Sequence, residues 1–271
     1  MPVVARSGTR VWQRRERGTQ LAIWFAWLVA TTIVVLSWDV ISDRTMWMFV
    51  EDAHVQAGDL LGRMVPPRWS YLDKLWVPLW DTLNIATLGT LIAIVFGVPL
   101  AFLAARNTTP SRLLVRPVAL FVIVASRSIN SLIWALLLVS IIGPGVLAGV
   151  FAIAFRSVGF IGKLLYEALE EIDEGAVEAV QATGASRPQV IGYAMVPQIA
   201  PAFAGISVFR WDINIRESTV LGLVGAGGIG LQLEASISQL AWREASVVFV
   251  VILVTVLASE WLSARIRHAI I

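Results

Sequence analysis

Long apolar stretches separated by short polar ones dominate the pattern of this chain. An α-helix needs roughly 20 apolar residues, at about 1.5 Å per residue, to cross a bilayer. Six stretches approach or exceed that length, some of them only by including polar positions. They lie at about residues 21–38, 82–105, 117–142, 145–162, 199–222 and 245–263. The pattern therefore predicts an all-α membrane protein with about six transmembrane helices.

The composition supports a membrane protein and excludes several kinds of site. The 271 residues are 57% hydrophobic and 15% charged, and the mean hydropathy is +0.75. A soluble domain is typically about half apolar and about a quarter charged. The chain has no cysteine, which excludes disulfides and thiolate metal sites. Its two histidines, His54 and His268, lie far apart in sequence, so we expect no metal site.

The distribution of basic residues predicts the orientation in the membrane. Residues 1–20 carry five arginines against one acid, and loop 106–116 and the C-terminal segment are also basic. Basic flanks stay in the cytoplasm, so both termini are expected there. The stretch 21–38 is long for a signal peptide and lacks a small-residue cleavage site after it, so we expect a retained helix. Residues 163–197 are acidic, so their charge does not place them in the cytoplasm. The number of predicted membrane crossings before them does.

One polar segment, about residues 163–197, carries a recognisable spacing; we call it the EAA segment. It reads Glu178-Ala179-Val180, then Gly184 after three residues, Ala194 after nine more, and Val196-Pro197 after one more. This spacing resembles the cytoplasmic EAA loop of the membrane subunits of ABC importers, which reads Glu-Ala-Ala, three, Gly, nine, Ile, one, Leu-Pro. Val180, Ala194 and Val196 depart from that pattern but remain apolar.

Local signals predict the shape of the EAA segment. Apolar positions from Leu165 to Thr183 follow helical spacing, and Gly184 allows a sharp turn. Ser186 is a suitable cap for a second short helix with Pro188 in its first turn. In the family that the chain resembles, this element docks into a groove of an ATPase subunit. The resemblance implies that role for Glu178, Ala179, Gly184, Ala185 and Pro197.

The chain contains no Gly-x4-Gly-Lys-Ser/Thr phosphate loop. ATP and Mg²⁺ would therefore be bound by a partner ATPase, and we expect this chain to be a transport subunit without enzymatic activity. A secondary transporter that needs no ATPase is an alternative, against which the EAA spacing argues.

Two further strings narrow the resemblance. Residues 81–107 and 210–230 are similar to the phosphonate branch of ABC permeases, and the resemblance covers about residues 66–260. It implies a type I importer core like that of methionine permeases at 66–271, preceded by an extra unit at 1–65 with a cytoplasmic tail, one transmembrane helix and an outer loop. It further implies a homodimer, two ATPase subunits and an extracytoplasmic binding protein. The expected cargo is phosphonate or a related phosphorus oxyanion, with phosphite or phosphate as alternatives.

Charged residues inside the spans are candidates for the substrate pathway, because they are costly there and usually face a cavity or a partner. In the fifth span, Arg210, Asn214 and Glu217 share one helical face. Asp212 and Arg216 lie four apart on another face, where we expect a structural ion pair.

Arg127 lies about ten residues into the third span, with no acid in its own span. A guanidinium group can bind an oxyanion through two parallel hydrogen bonds. We therefore expect Arg127, Arg210 and Asn214 to line the pathway, with Arg156 after them.

The glycine run 225–230 spells G-x-G-x-x-G, with glycines at Gly225, Gly227, Gly228 and Gly230. This motif binds dinucleotides only when a strand precedes it within a parallel sheet, which would make the chain a membrane oxidoreductase. A chain of membrane spans offers no such sheet. We expect the glycines to interrupt the helix as a re-entrant turn or part of a gate.

Overall fold

The computed structural model describes residues 3–6, 9–12 and 17–270. Internal contacts divide the chain into residues 1–60 and 61–271. In the first unit, β1 (Val3–Arg6) and β2 (Thr9–Trp12) form an antiparallel hairpin, for which the sequence pattern gave no indication. The helix α1 (Arg17–Arg44) follows, extending beyond the predicted stretch at both ends. Then come α2 (Trp47–Glu51) and α3 (Ala53–Met64), which crosses the division.

The second unit is a bundle of long helices with short ones at both ends. A 3₁₀ turn (Trp69–Lys74) leads into the bundle. The helices are α4 (Trp76–Ala104), α5 (Val115–Ser128), α6 (Ser131–Ile142), α7 (Val146–Glu170), α8 (Glu174–Ala182), α9 (Arg187–Val190), α10 (Val196–Leu221), α11 (Ile229–Ser238) and α12 (Trp242–Ile270). Over the described residues, five helical stretches are long and apolar enough to span a membrane, or six if α5 and α6 count as one. The predicted all-α fold with about six spans is confirmed.

The third predicted span, 117–142, is not one continuous helix. It consists of α5 and α6, which are bent by 86° to each other. The break follows from Asn130, whose side chain accepts a hydrogen bond from the backbone of Leu132 at 3.1 Å and so caps α6. A short polar side chain that bonds nearby backbone favours a new helix start over continuation.

The fourth span is longer than predicted. Instead of ending at residue 162, α7 continues to Glu170, with Lys163 and Glu167 paired at 3.4 Å along its surface. The helical pattern predicted from residue 165 to 183 is then interrupted at residues 171–173. The Asp173 side chain accepts a hydrogen bond from the backbone of Gly175 at 2.9 Å, so it begins a separate helix, α8.

Small residues on α4 bring α4 and α7 close together. Gly89 and Gly97 are buried on the same face of α4. A Cβ atom on Gly89 would lie 2.7 Å from Cγ2 of Ile153, and one on Gly97 would lie 3.1 Å from the carbonyl oxygen of Val158. Helices in membranes associate largely through such close packing, because burial of apolar surface gives little drive within lipid. The α4–α7 pair therefore forms the centre of the bundle.

Candidate functional site

The EAA segment forms two short helices at one end of the bundle, as predicted. Gly184 joins α8 to α9 with φ of +81°, in the left-handed region that favours glycine. The backbone N–H of Ser186 donates to Oε1 of Gln189 at 2.8 Å, and Pro188 lies in the first turn of α9. A π-helical turn, Ile191–Met195, then leads into α10.

An apolar cluster holds the two short helices together. Its buried members are Val177, Val190, Ala194 and Met195, and its partly buried members are Ile172, Val180, Ala185 and Ile191. Val180 and Ala194, two of the residues that differ in type from the EAA pattern, thus lie in one cluster. Val180 is larger than the alanine of the pattern and Ala194 is smaller than its isoleucine. The two exchanges therefore change the volume of the cluster in opposite directions. A volume-conserving exchange is the kind that a packed cluster tolerates best.

The remaining EAA residues lie on the surface. Glu178, Ala179 and Gly184 are exposed, while Ala185 is half-buried against the cluster. Gln198 ties the segment to the bundle, because its Oε1 accepts from the backbone of Asp173 at 2.9 Å and its Nε2 donates to the carbonyl of Ala194 at 2.8 Å. Pro197 occupies the first turn of α10. The segment therefore has a small exposed surface, and the apolar cluster and the hydrogen bonds of Gln198 connect it to α10.

Midway through the bundle, α7 and α10 are joined by what we call the charge cluster, formed by Arg156, Arg210 and Glu217. Arg156 Nη1 donates to Glu217 Oε1 at 2.6 Å, and Arg210 Nη2 lies 3.4 Å from both Glu217 oxygens. The Arg210 guanidinium also covers the ring of Phe160, with 4.9 Å between Cζ and the ring centroid. One carboxylate therefore serves two guanidinium groups, 2% (Arg210) and 31% (Arg156) exposed.

A polar network extends the charge cluster to α4. The hydroxyl of Ser157 accepts from Arg210 Nε at 2.9 Å and donates to Asn214 Oδ1 at 3.2 Å. Asn214 Nδ2 in turn donates to Thr90 Oγ1 at 2.7 Å. Arg210 and Asn214, both predicted pathway residues, are thus brought together and use their polar atoms within the protein. Buried polar groups that are hydrogen-bonded to one another stabilise one arrangement of the helices.

The depth of the charge cluster makes it energetically expensive. Arg156 lies about 15 Å along α7, a helix about 37 Å long at 1.5 Å per residue. A charge near the centre of a bilayer costs about 3 kcal/mol on insertion scales, and more where no partner or water reaches it. Charged residues retained at such a depth usually act on an ion or a substrate.

The other fifth-span charges form a separate pair on the α12 side of α10. Arg216 Nη2 lies 2.5 Å from Asp212 Oδ2, and the hydroxyl of Ser259 on α12 donates to Asp212 Oδ1 at 2.8 Å. Asp212 is 3% exposed and Arg216 is 45% exposed. This pair is neutral and links α10 to α12.

Arg127 is not part of the charge cluster. It lies in the last turn of α5, just before the bend, with an exposed side chain. It has no hydrogen-bond or ion-pair partner among residues 17–270. The pathway role predicted for it stays a prediction.

The glycine run breaks the chain between α10 and α11 at the opposite end of the bundle from the EAA segment. Gly225, Gly227 and Gly228 have φ between +76° and +85°. The backbone of Ile229 donates to Thr82 Oγ1 at 2.8 Å, and a Cβ atom on Gly230 would lie 1.9 Å from the carbonyl oxygen of Thr219. A helix precedes the run where a dinucleotide site requires a strand. The turn is therefore a closely packed interruption between helices.

Three residues around Arg210 and Asn214 were not predicted from the sequence. They are Ser157 and Thr90 in the polar network and Phe160, whose ring lies against Arg210. A usable signal existed, because Arg156-Ser157 is a polar pair inside an otherwise apolar stretch. The sequence placed Glu217 on the correct face of α10, but it did not predict the ion pair between Glu217 and Arg156 of α7.

Comparisons with known proteins agree with this architecture. The family described as "Binding-protein-dependent transport system inner membrane component" matches residues 97–268. The phosphite transport system permease protein PtxC of Stutzerimonas stutzeri is 43% identical over 208 residues, which are 77% of this chain and 75% of that protein. The phosphate-import permease protein PhnE of Mycolicibacterium smegmatis is 42% identical over 227 residues, 82% of this chain and 42% of that protein.

The fold has a solved counterpart in the inward-facing MetNI methionine ABC transporter. One of its chains superposes with a TM-score of 0.63 at 22% identity, covering 73% of this chain and 96% of that one. The bundle therefore has the fold of a type I importer permease. By the extent of the family match and the identity to its relatives, the chain belongs to the family of binding-protein-dependent transport system inner membrane components.

Proposed function

We propose that this chain is the membrane-spanning permease subunit of an ATP-driven importer for a phosphorus oxyanion: phosphonate, phosphite or phosphate. The observation that carries the proposal is the EAA segment, two short helices that project from a bundle of span-length helices and expose Glu178, Ala179 and Gly184. The names of the relatives, which are phosphite and phosphate permeases, support the class of cargo.

The proposed assembly contains two copies of this chain, two ATPase subunits and an extracytoplasmic binding protein. ATP and Mg²⁺ belong to the ATPase, so this chain hydrolyses nothing. The complex is placed in a bacterial cytoplasmic membrane, with both termini and the EAA segment in the cytoplasm.

The connections of the EAA segment suggest how force reaches the pathway. The segment lies between α7 and α10, the two helices that the charge cluster joins. A displacement of the docked segment therefore acts on one end of both helices at once. On this proposal, closure of the ATPase subunits moves the helix ends and the bundle alternates between inward-open and outward-open forms.

Reconstitution tests the proposal. The chain would be solubilised from its native host, and co-purification of an ATP-binding subunit is expected. Proteoliposomes that contain the complex and its binding protein should accumulate phosphite, a phosphonate or phosphate only when ATP is present on the ATPase side. Uptake by the chain without any ATPase would favour a secondary transporter, and nucleotide binding to the isolated chain would favour an oxidoreductase.

A further inference from the structure

We propose that Arg156 is the residue of this chain that contacts the transported anion inside the membrane, while Arg210 and Glu217 are positioning residues. This assignment rests on the importer function proposed above and names its site. It changes the order expected from the sequence, in which Arg156 came after Arg127, Arg210 and Asn214.

The charge cluster is not neutral. Two guanidinium groups share one carboxylate, and within residues 17–270 Glu217 is the one acid in ion-pair contact with either of them. The nearby Asp212 is neutralised by Arg216 and contributes no compensation. One positive charge is therefore left over within the charge cluster. A bound anion would neutralise it, which gives the surplus a purpose.

The two arginines of the cluster differ in burial and in the number of contacts that they make. Arg210 donates to Ser157 and Glu217, lies over the ring of Phe160 and is almost fully buried. Among residues 17–270, Arg156 donates a single hydrogen bond, from Nη1 to Glu217, and about a third of its side chain is exposed. A guanidinium has five N–H donors in a planar fork, so Arg156 keeps donors free for a ligand. The surplus charge is thus presented at Arg156.

A transport site must bind its cargo weakly enough to release it, and Glu217 provides a competitor for the anion. Glu217 lies 2.6 Å from Arg156 and 3.4 Å from Arg210, so it already contacts both. An oxyanion that approaches Arg156 competes with this carboxylate. Glu217 can then move towards Arg210, which holds it, and can return when the anion leaves. A tetrahedral phosphorus oxyanion suits the site, because two of its oxygens match the guanidinium fork.

The test is the variant Arg156→Gln in the complete complex. This change removes the surplus charge and leaves the Arg210–Glu217 pair, so the charge cluster becomes neutral. We expect uptake of phosphite to fall at least tenfold, while the ATPase activity stimulated by the loaded binding protein is retained. Arg156→Lys keeps the charge but loses the planar fork, and should give intermediate uptake.

The chain offers a matched control at the EAA end of the bundle. There Glu170 is also shared by two arginines, Arg106 at 3.6 Å and Arg116 at 3.3 Å. Arg106→Gln removes one arginine from that pair of contacts, as Arg156→Gln does from the charge cluster. Uptake should be unchanged by the control substitution.

A second readout does not depend on uptake. High concentrations of phosphite should raise the thermal unfolding temperature of the solubilised wild-type chain, because a ligand stabilises the state that it binds. Equal concentrations of chloride should not, and the increase should be absent in Arg156→Gln.

The outcomes separate the site from the function. Wild-type uptake in Arg156→Gln would overturn the role of Arg156 and leave the importer function standing. If the wild-type complex takes up none of the three anions, the proposed function fails and the assignment fails with it. If Arg156→Gln does not insert, wild-type uptake of all three anions by Arg156→Lys would overturn the contact with the guanidinium fork.

Discussion

At the scale of single residues, burial decides what each arginine can do. Arg156 and Arg210 have the same chemistry and share one carboxylate. Arg210 is enclosed by Phe160 and Ser157, so its donors are used to hold helices together. Arg156 reaches a more open position and keeps donors free. The residue type is suited to binding an anion, and the proposal that Arg156 does so rests on these surroundings.

The Asp212–Arg216 pair makes a prediction at the same scale. Arg216→Gln should lower the thermal stability of the solubilised chain more than Asp212→Asn does. The first change leaves a buried carboxylate without its cation, which costs about 3 kcal/mol. The second leaves a half-exposed arginine and keeps an acceptor for Ser259, which costs about 1 kcal/mol. The measurement is the thermal unfolding temperature of each variant. A lower unfolding temperature for Asp212→Asn than for Arg216→Gln would show that Arg216, not Asp212, is the enclosed partner.

At the scale of elements, the EAA segment combines a rigid interior with a small exposed surface. The cluster around Val177 and Met195 fixes the angle between α8 and α9, and Gly184 supplies the turn between them. Local signals were sufficient to predict this element because its helices and their cap are encoded within a few residues of each other. The start of α8 was misplaced, since the capping by Asp173 competes with an apolar pattern that continues through it.

The turn of the EAA segment provides a second prediction. Gly184→Ala should lower ATP-driven uptake about fivefold, because a non-glycine residue in the left-handed region costs about 1 kcal/mol. Gly192→Ala is the matched control: Gly192 lies in the same segment, has no atom within 4 Å of an added Cβ and has no positive φ. Uptake should be unchanged in the control. Equal losses in both variants would show that the surface of the segment, not the strain of its turn, is sensitive.

At the scale of the whole molecule, the bundle has two distinct ends. The EAA segment lies at one end, and the glycine run with the start of α12 lies at the other. The first unit, residues 1–60, has its own internal contacts and supplies one further helix of span length. The proposed orientation puts the EAA end in the cytoplasm, although its acidic charge alone would not place it there.

The absence of cysteine allows this orientation to be tested directly. Single cysteines would be introduced at two exposed positions, Ala182→Cys in the EAA segment and Gln239→Cys near the glycine run. A membrane-impermeant maleimide added to intact spheroplasts should label Gln239→Cys and leave Ala182→Cys unlabelled until the membrane is opened. Labelling of Ala182→Cys from outside would reverse the proposed orientation.

The sequence by itself determined the all-α membrane fold, the number of spans and the two helices of the EAA segment. These features depend on hydrophobic length, helical period and short-range capping, which a few neighbouring residues encode. The tertiary structure decided the bend between α5 and α6 and which of the two arginines that share Glu217 is the more exposed. Ser157 and Arg210 are 53 positions apart and Thr90 and Asn214 are 124 apart, so only the packing of α4, α7 and α10 shows which polar groups satisfy each other. Burial and partner choice belong to that packing, and they separate an arginine that holds the bundle from one that can hold an anion.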